Sequence, residues 1–168
     1  MLILGIETST PQASVAIGSE QGIVASALVS RGASYNEFLL PAIRFCLDQS
    51  GLGYRNIGGI AVSLGPGLFT GMRVGVATGK ALAQALSVPI VGMASLDLLA
   101  YEVRYSPKTI CAVLDARRNQ VFHAFYRSSP GGIQRMSDYR LETPQRLAIG
   151  SEQGIVASAL VSRGASYN

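Results

Sequence analysis

The chain has 168 residues, 48% of them hydrophobic and 14% charged, which excludes a disordered polypeptide and allows one domain or a pair of small lobes with a real core. Its formal net charge of +4, carried mostly by arginine, is compatible with RNA nearby but too small to require a nucleic-acid partner. Cys46 and Cys111 lie in apolar runs and read as buried thiols rather than a disulfide pair. The N-terminus shows neither a basic leader nor an apolar run of membrane length, so cytoplasm is the expected location and no membrane contact is expected.

Leu2 to Glu7 reads as a short apolar strand, ended by the polar turn Glu7-Thr8-Ser9-Thr10-Pro11. Ser14 to Ile17 and Ile23 to Val29 read as two further strands, joined through a hairpin-like turn at Gly18 to Gly22. Ser34 and Glu37 have the spacing of a capping box, in which each side chain satisfies the other residue's backbone N–H. The helix it opens runs to about Ser50, with a kink expected at Pro41 and a stop at Gly51. Phe38, Leu39, Leu40, Ala42, Ile43, Phe45, Cys46 and Leu47 leave this helix little polar surface, so it is either sandwiched or awaits a partner.

Gly59 to Leu64 is apolar on both faces, as in a strand covered on two sides. Gly65-Pro66-Gly67 breaks it, and Thr70 is placed to cap a helix from Gly71 to Leu86. A glycine loop feeding a helix N-terminus suits an anion, because free N–H groups and the helix dipole point at it; the plain alternative is a tight turn. Glu7, Thr8, Ser9, Gly65 and Gly67 are the candidate members of a vestigial phosphate loop. It is not a P-loop, since Ala81 stands where a Mg²⁺-binding hydroxyl belongs, and no Gly-x-Gly-x-x-Gly follows the first strand. Gly71, Gly75 and Gly79 recur every four residues and form one stripe, with Ala77, Ala81, Ala83 and Ala85 around it. Glycine inside a helix costs roughly 1 kcal/mol against alanine, so something packs close to that face: the helix's own sheet or another helix. A short strand and a third helix follow, giving β-β-β-α-β-α-β-α for the first hundred residues.

After Ser106-Pro107 the pattern restarts. Thr109 to Leu114 is a strand, Asp115 to Asn119 a turn, and Gln120 to Tyr126 an alternating strand; Gly131-Gly132 opens another, and Leu141 to Leu147 begins a helix. The expected organisation is a first lobe at 1–104, a partial second lobe at 105–147, and a segment at 148–168 that repeats 16–36 without a change. Diverged structural repeats do not stay identical over such a length, so the copy reads as a recent duplication or an artefact and is assigned no function. The single histidine, His123, sits on the alternating strand and reads as structural. Arg117, Arg118, Arg127, Arg135, Arg140 and Arg146 read as a solvated face rather than a phosphate-binding patch.

Three stretches, ILGIETSTPQASVAI, SLGPGLFTGMRVGVATGKALA and AVLDARRNQVFHAFY, occur in this order, and the chain resembles the TsaB (YeaZ-like) family. These are non-catalytic relatives of TsaD within the actin-like, sugar-kinase-like superfamily. The resemblance implies an α/β fold with a βββαβαβα first lobe and an incomplete second lobe. TsaD-like catalytic subunits carry a metal-binding histidine pair where this chain has Ser95 and Leu99, neither of which supplies an imidazole. Ser9, Ser63 and Ser95 lack a nearby basic partner for nucleophilic catalysis. No catalytic residue, metal ligand or cofactor is therefore expected, with ATP entering only in complex with partners.

The family implies a scaffold that binds a TsaD-like catalytic subunit. A TsaE-like ATPase acts through that complex, which transfers threonylcarbamoyl to the adenosine beside the tRNA anticodon; tRNA contact is indirect. The implied interface is the first two long helices, with Phe38, Leu39, Ile43 and Leu47 on one and Gly71, Val74, Gly75, Thr78, Gly79 and Leu82 on the other. The same surface predicts a homodimer when the chain is alone. The alternative is a small ATP-dependent enzyme of the sugar-kinase type, with Glu7 and Asp115 as its carboxylates.

Overall fold

The computed structural model describes residues 1–30, 34–150 and 158–160, the last three and 148–150 as backbone only. The chain divides into two compact units, Met1–Met93 and Ala94–Asn168.

In the first unit, β1 (Leu2–Glu7), β2 (Ala13–Ser19) and β3 (Gly22–Val29) form an antiparallel meander, and β4 (Ile57–Ser63) and β5 (Ile90–Met93) add in parallel beside β1. The order across the sheet is β3-β2-β1-β4-β5. Alternation decides which face is buried. Leu4 lies opposite Ile17 and Ile60, and Ile6 opposite Val15 and Val62, so one face is a continuous apolar layer. The crossover helices α1 (Tyr35–Gln49) and α2 (Phe69–Leu86) pack on this layer through Leu39, Ile43, Cys46 and Leu47 of α1 and Ala83 of α2.

Two local expectations change, both at helix starts. Ser34 is the N-cap of α1, but its side chain makes no capping bond; Glu37 and Phe38 N–H donate to its main-chain oxygen at 2.9 and 3.0 Å, so the capping box is not formed. The helix is continuous through Pro41. The cap of α2 is Leu68, not Thr70, which lies inside the first turn. The cause is tertiary: Leu68 N–H donates to the Ser9 carbonyl at 2.6 Å while its own carbonyl accepts Met72 N–H at 3.0 Å, so a bond to the β1–β2 turn sets the helix start.

In the second unit, α3 (Ser95–Glu102) precedes β6 (Ile110–Arg117), β7 (Gln120–Ser129), β8 (Gly132–Arg135), β9 (Arg140–Glu142), α4 (Pro144–Gly150) and β10 (Ser158–Leu160). β7 is the centre: β6 pairs along one edge, and β8 and β9 share the other, at Tyr126–Ser129 and Val121–His123 respectively. Leu96 and Ala100 of α3 pack on Ile110, Ala112, Leu114, Ala124 and Tyr126. α3 thus packs with the second sheet, and the compact units divide between Met93 and Ala94.

The expected Asp115–Asn119 turn is shorter, because β6 runs on to Arg117 and the chain reverses through Arg117, Arg118 and Asn119 at φ of 66, 51 and 59°. The Asp115 carboxylate accepts Arg117 N–H at 2.7 Å and braces this reversal. α4 begins at Pro144, later than Leu141, because Arg140–Glu142 are taken into β9. Most of the repeated segment 148–168 lies outside the described residues; its Ser158–Leu160 runs parallel to β6 as β10.

Candidate functional site

Of the five candidate loop residues, Glu7, Thr8 and Ser9 form the turn after β1, and Gly67 lies against Ser9. The Glu7 carboxylate accepts both the N–H and the hydroxyl of Ser9 at 2.5 Å. Thr8 and Ser9 are each only 1% exposed. Thr8 Oγ1 donates to the Gly71 carbonyl at 2.8 Å, and the Ser9 carbonyl takes the Leu68 N–H. The Tyr35 hydroxyl donates to the Thr10 carbonyl at 3.0 Å, tying α1 to the same turn. The Gly65–Pro66 bond is cis, and Gly65 has a φ of 91°, which favours glycine.

Glycine is also required where the turn seats. A Cβ at Gly67 would overlap the Ser9 carbonyl oxygen, one at Gly71 the Thr8 carbonyl oxygen, and one at Gly75 the Thr8 hydroxyl, each closer than 3.0 Å. The β1–β2 turn thus seats against the start of α2 and takes the Leu68 N–H.

The glycine stripe faces its own sheet. Gly71 and Gly75 meet Thr8, and Gly79 meets Val62, Ile90 and Ile60. Six of the ten residues expected at an interface are buried in the unit itself. Leu39, Ile43, Leu47, Gly71, Gly75 and Gly79 are buried within the unit, while Phe38, Val74 and Leu82 are half-buried against the same core and Thr78 is half-buried. The small and large apolar residues that looked free are used for packing on the strands.

What faces outward is a different set. Leu40 and Phe45 on α1 are 52% and 54% exposed, and Phe69 on α2 is 68% exposed. Leu64, Phe69, Met72, Arg73, Val76, Ala77 and Lys80 line a groove of about 370 Å³ on the outer side of α2. The Arg73 guanidinium sits 5.3 Å from the Phe69 ring centroid. The sequence signal for this face is Phe69, Met72, Val76 and Lys80, spaced by three and four on the side of α2 away from its glycines.

In the second unit, Asp97 on α3 is the polar hub. Tyr126 donates to it at 2.7 Å and Tyr139 at 2.9 Å, with the Arg135 guanidinium 3.9 Å away and stacked on the Tyr139 ring at 4.2 Å. Burial, then the hydrogen bond to Asp97, pushes both phenols above their ordinary pKa. His123 is 2% exposed; its Nε2 lies 3.7 Å from the Glu142 carboxylate, and neither ring nitrogen has a hydrogen-bond partner. Burial lowers its pKa more strongly than Glu142 raises it.

Ser95 and Leu99 both lie on α3, Ser95 buried. Among the described residues, no group of three His, Cys, Asp or Glu is arranged to hold a metal ion, and no helix is long and apolar enough to cross a membrane. The six arginines at 117, 118, 127, 135, 140 and 146 are all exposed. Arg127 is bonded to Gln134, and Arg135 is held by the Asp97 hub.

A sheet of order β3-β2-β1-β4-β5, with crossover helices on one face and a glycine loop closing on the first turn, is that of an actin-like, sugar-kinase-like protein. Hexokinase of the ROK class from Thermus thermophilus shares the fold at a TM-score of 0.51 and 10% identity, over 82% of this chain and 49% of the enzyme. YeaZ from Pseudomonas aeruginosa superposes with a TM-score of 0.76 at 28% identity, over 86% of this chain and 68% of YeaZ. The family model described as TsaD, tRNA N6-adenosine threonylcarbamoyltransferase, matches residues 19–168.

The tRNA threonylcarbamoyladenosine biosynthesis protein TsaB of Bacillus subtilis is 31% identical over 136 residues, 81% of this chain and 59% of that protein. Its Escherichia coli counterpart is 30% identical over 135 residues, 79% of this chain and 58% of that protein. The chain belongs to the TsaB (YeaZ-like) family of TsaD-related proteins. It spans just under three-fifths of the length of these two curated relatives.

Proposed function

We propose that the chain is an accessory subunit in tRNA threonylcarbamoyladenosine biosynthesis, which binds and supports a TsaD-like catalytic subunit without chemistry of its own. The observation that supports this reading is the β1–β2 turn seated on the start of α2. A phosphate at the start of α2 needs free N–H donors and room above the glycines, yet the Ser9 carbonyl holds the Leu68 N–H and Thr8 occupies the space over Gly71 and Gly75. Glu7 is spent on Ser9, so the carboxylate that the sugar-kinase alternative needs already has a structural use.

The binding surface of this reading is the outward apolar face of α1 and α2, with Leu40, Phe45 and Phe69 as anchors. A TsaE-like ATPase, ATP and tRNA are engaged through the partner. Light scattering on size-exclusion fractions tests the reading: the chain mixed with a TsaD-like subunit should elute as a one-to-one complex. F45E and F69E, at positions outside the core, should weaken that complex at least about tenfold. Absence of a complex with the unmodified chain refutes the accessory role, and a complex indifferent to both variants refutes the surface.

A further inference from the structure

We infer that β9 is an acid-released latch on β7, paired while the His123 ring beside it is neutral and released when that ring takes a proton. The inference does not rest on the accessory-subunit reading. His123 is the one histidine of the chain. Its ring is buried, and among the described residues neither nitrogen has a hydrogen-bond partner. A protonated imidazole carries two N–H donors, and no acceptor stands ready for either. The Glu142 carboxylate is 3.7 Å from Nε2, beyond hydrogen-bond reach. Register settles what else shares the ring's face. His123 is paired with Arg140 and Val121 with Glu142, so both charges of β9 lie on that face. From β6, Val113 is opposite His123, and Cys111 and Asp115 flank it. The Cys111 thiol, its pKa pushed up to about 11, is neutral, and the exposed Asp115 braces the Arg117 N–H. On β7 itself, Phe125 meets the ring edge-on with centroids 5.5 Å apart, and Arg127 is bonded to Gln134 of β8.

A proton on His123 thus places a buried cation opposite Arg140. Burial outweighs the pull of Glu142, so the paired sheet resists the proton, and a state that wets the ring takes it more readily. Acid therefore favours the wet state. Release of β9 is the smallest movement that provides it. β6 is paired with β7 from Ile110 to Arg117, whereas β9 spans three residues, and its one apolar side chain, Leu141, is 48% exposed. The residue before β9 is fixed, since Tyr139 donates to Asp97 at 2.9 Å, so the release hinges between Tyr139 and Arg140. A wet imidazole titrates near about 6.5. With the paired ring neutral throughout, the opening equilibrium rises about tenfold between about pH 7.5 and about pH 5.5.

Amide hydrogen exchange of the unmodified chain, followed at about pH 7.5 and about pH 5.5 and corrected for the intrinsic pH dependence of exchange, tests the latch. The β9 amides should exchange faster than those linking β6 to β7 at both pH values, and their opening should rise about tenfold on acidification. Amides of the β1–β4 pair should show no such rise. His123→Leu should abolish the pH step at β9, and the pH series on the unmodified chain stands without it. β9 amides that exchange in step with those of β6 have no separate opening and overturn the inference. So does protection that stays level or grows in acid, the sign that Glu142 captures the protonated ring within the paired sheet. A rise that persists in His123→Leu overturns it as well.

Discussion

Gly75→Ala adds one methyl group to the middle of α2 and should be destabilising, against its helix propensity. The added Cβ lands on Thr8 Oγ1, closer than any real contact, and its next neighbour, Thr8 Cβ, is at an ordinary 3.4 Å. Thr8 must rotate, which breaks its 2.8 Å bond to the Gly71 carbonyl, a loss of about 1 kcal/mol. Residual crowding adds about 2 kcal/mol, and the propensity gain returns about 1 kcal/mol. The expected net loss is therefore about 2 kcal/mol. In a Thr8→Ala background the obstructing hydroxyl is gone, and the same Gly75→Ala change should stabilise by about 1 kcal/mol. The double-mutant cycle should return a coupling of about 3 kcal/mol, read from urea unfolding of the four variants. Additive effects would show that Gly75 is not held against Thr8 and would refute the seating of the β1–β2 turn on α2. By the same reasoning Gly71→Ala should cost more than Gly75→Ala, since it meets the Thr8 backbone oxygen, which cannot rotate away.

Other consequences are within reach of simple assays. Glu7→Ala frees both Ser9 donors and should lower stability by about 2 kcal/mol in the same urea assay, with Glu7→Gln losing about half of that. Tyr126→Phe removes a hydrogen bond to a carboxylate and should cost about 1.5 kcal/mol, with amide exchange rising first in α3, which Asp97 anchors. Burial raises the pKa of Cys46 and pushes Cys111 up to about 11, so neither thiol should react with a disulfide reagent at about pH 8 before unfolding; prompt labelling would contradict the core described here. His123 has its pKa lowered by burial, so below the unfolded value of about 6.5 the unfolded chain binds the extra proton. Stability should be complete above that pH and fall as pH drops through it, and His123→Leu should flatten the slope in a pH series of melting temperatures.

The strand and helix sequence was legible because the apolar patterns are local: Leu4 and Ile6 alternate within β1, and Leu39, Ile43 and Leu47 recur by four within α1. What those patterns do not contain is the identity of the opposing surface. A stripe of Gly71, Gly75 and Gly79 says that something comes close, and the something is Thr8, sixty-odd residues away, with Val62 and Ile90 further along. Reading the stripe as a meeting place for another helix gave residues already committed to the core to a partner. The cap at Leu68 has the same kind of origin, since its N–H donates to the distant Ser9 carbonyl, a contact that the capping pattern at Thr70 does not contain.

β9 has no alternation to read, being three residues on the outer edge of β7, and Leu96 and Ala100 of α3 would suit either sheet. The seating of the turn bears on how the protein should be tested. Arginine at Gly75 would fail to pack on Thr8, so loss of a complex would report unfolding rather than an interface. A substitution at Phe69 or Arg73 leaves the seated turn intact. The side of α2 away from its glycines is therefore where a substitution can be made without unseating the turn, and it carries the only two charges on that helix.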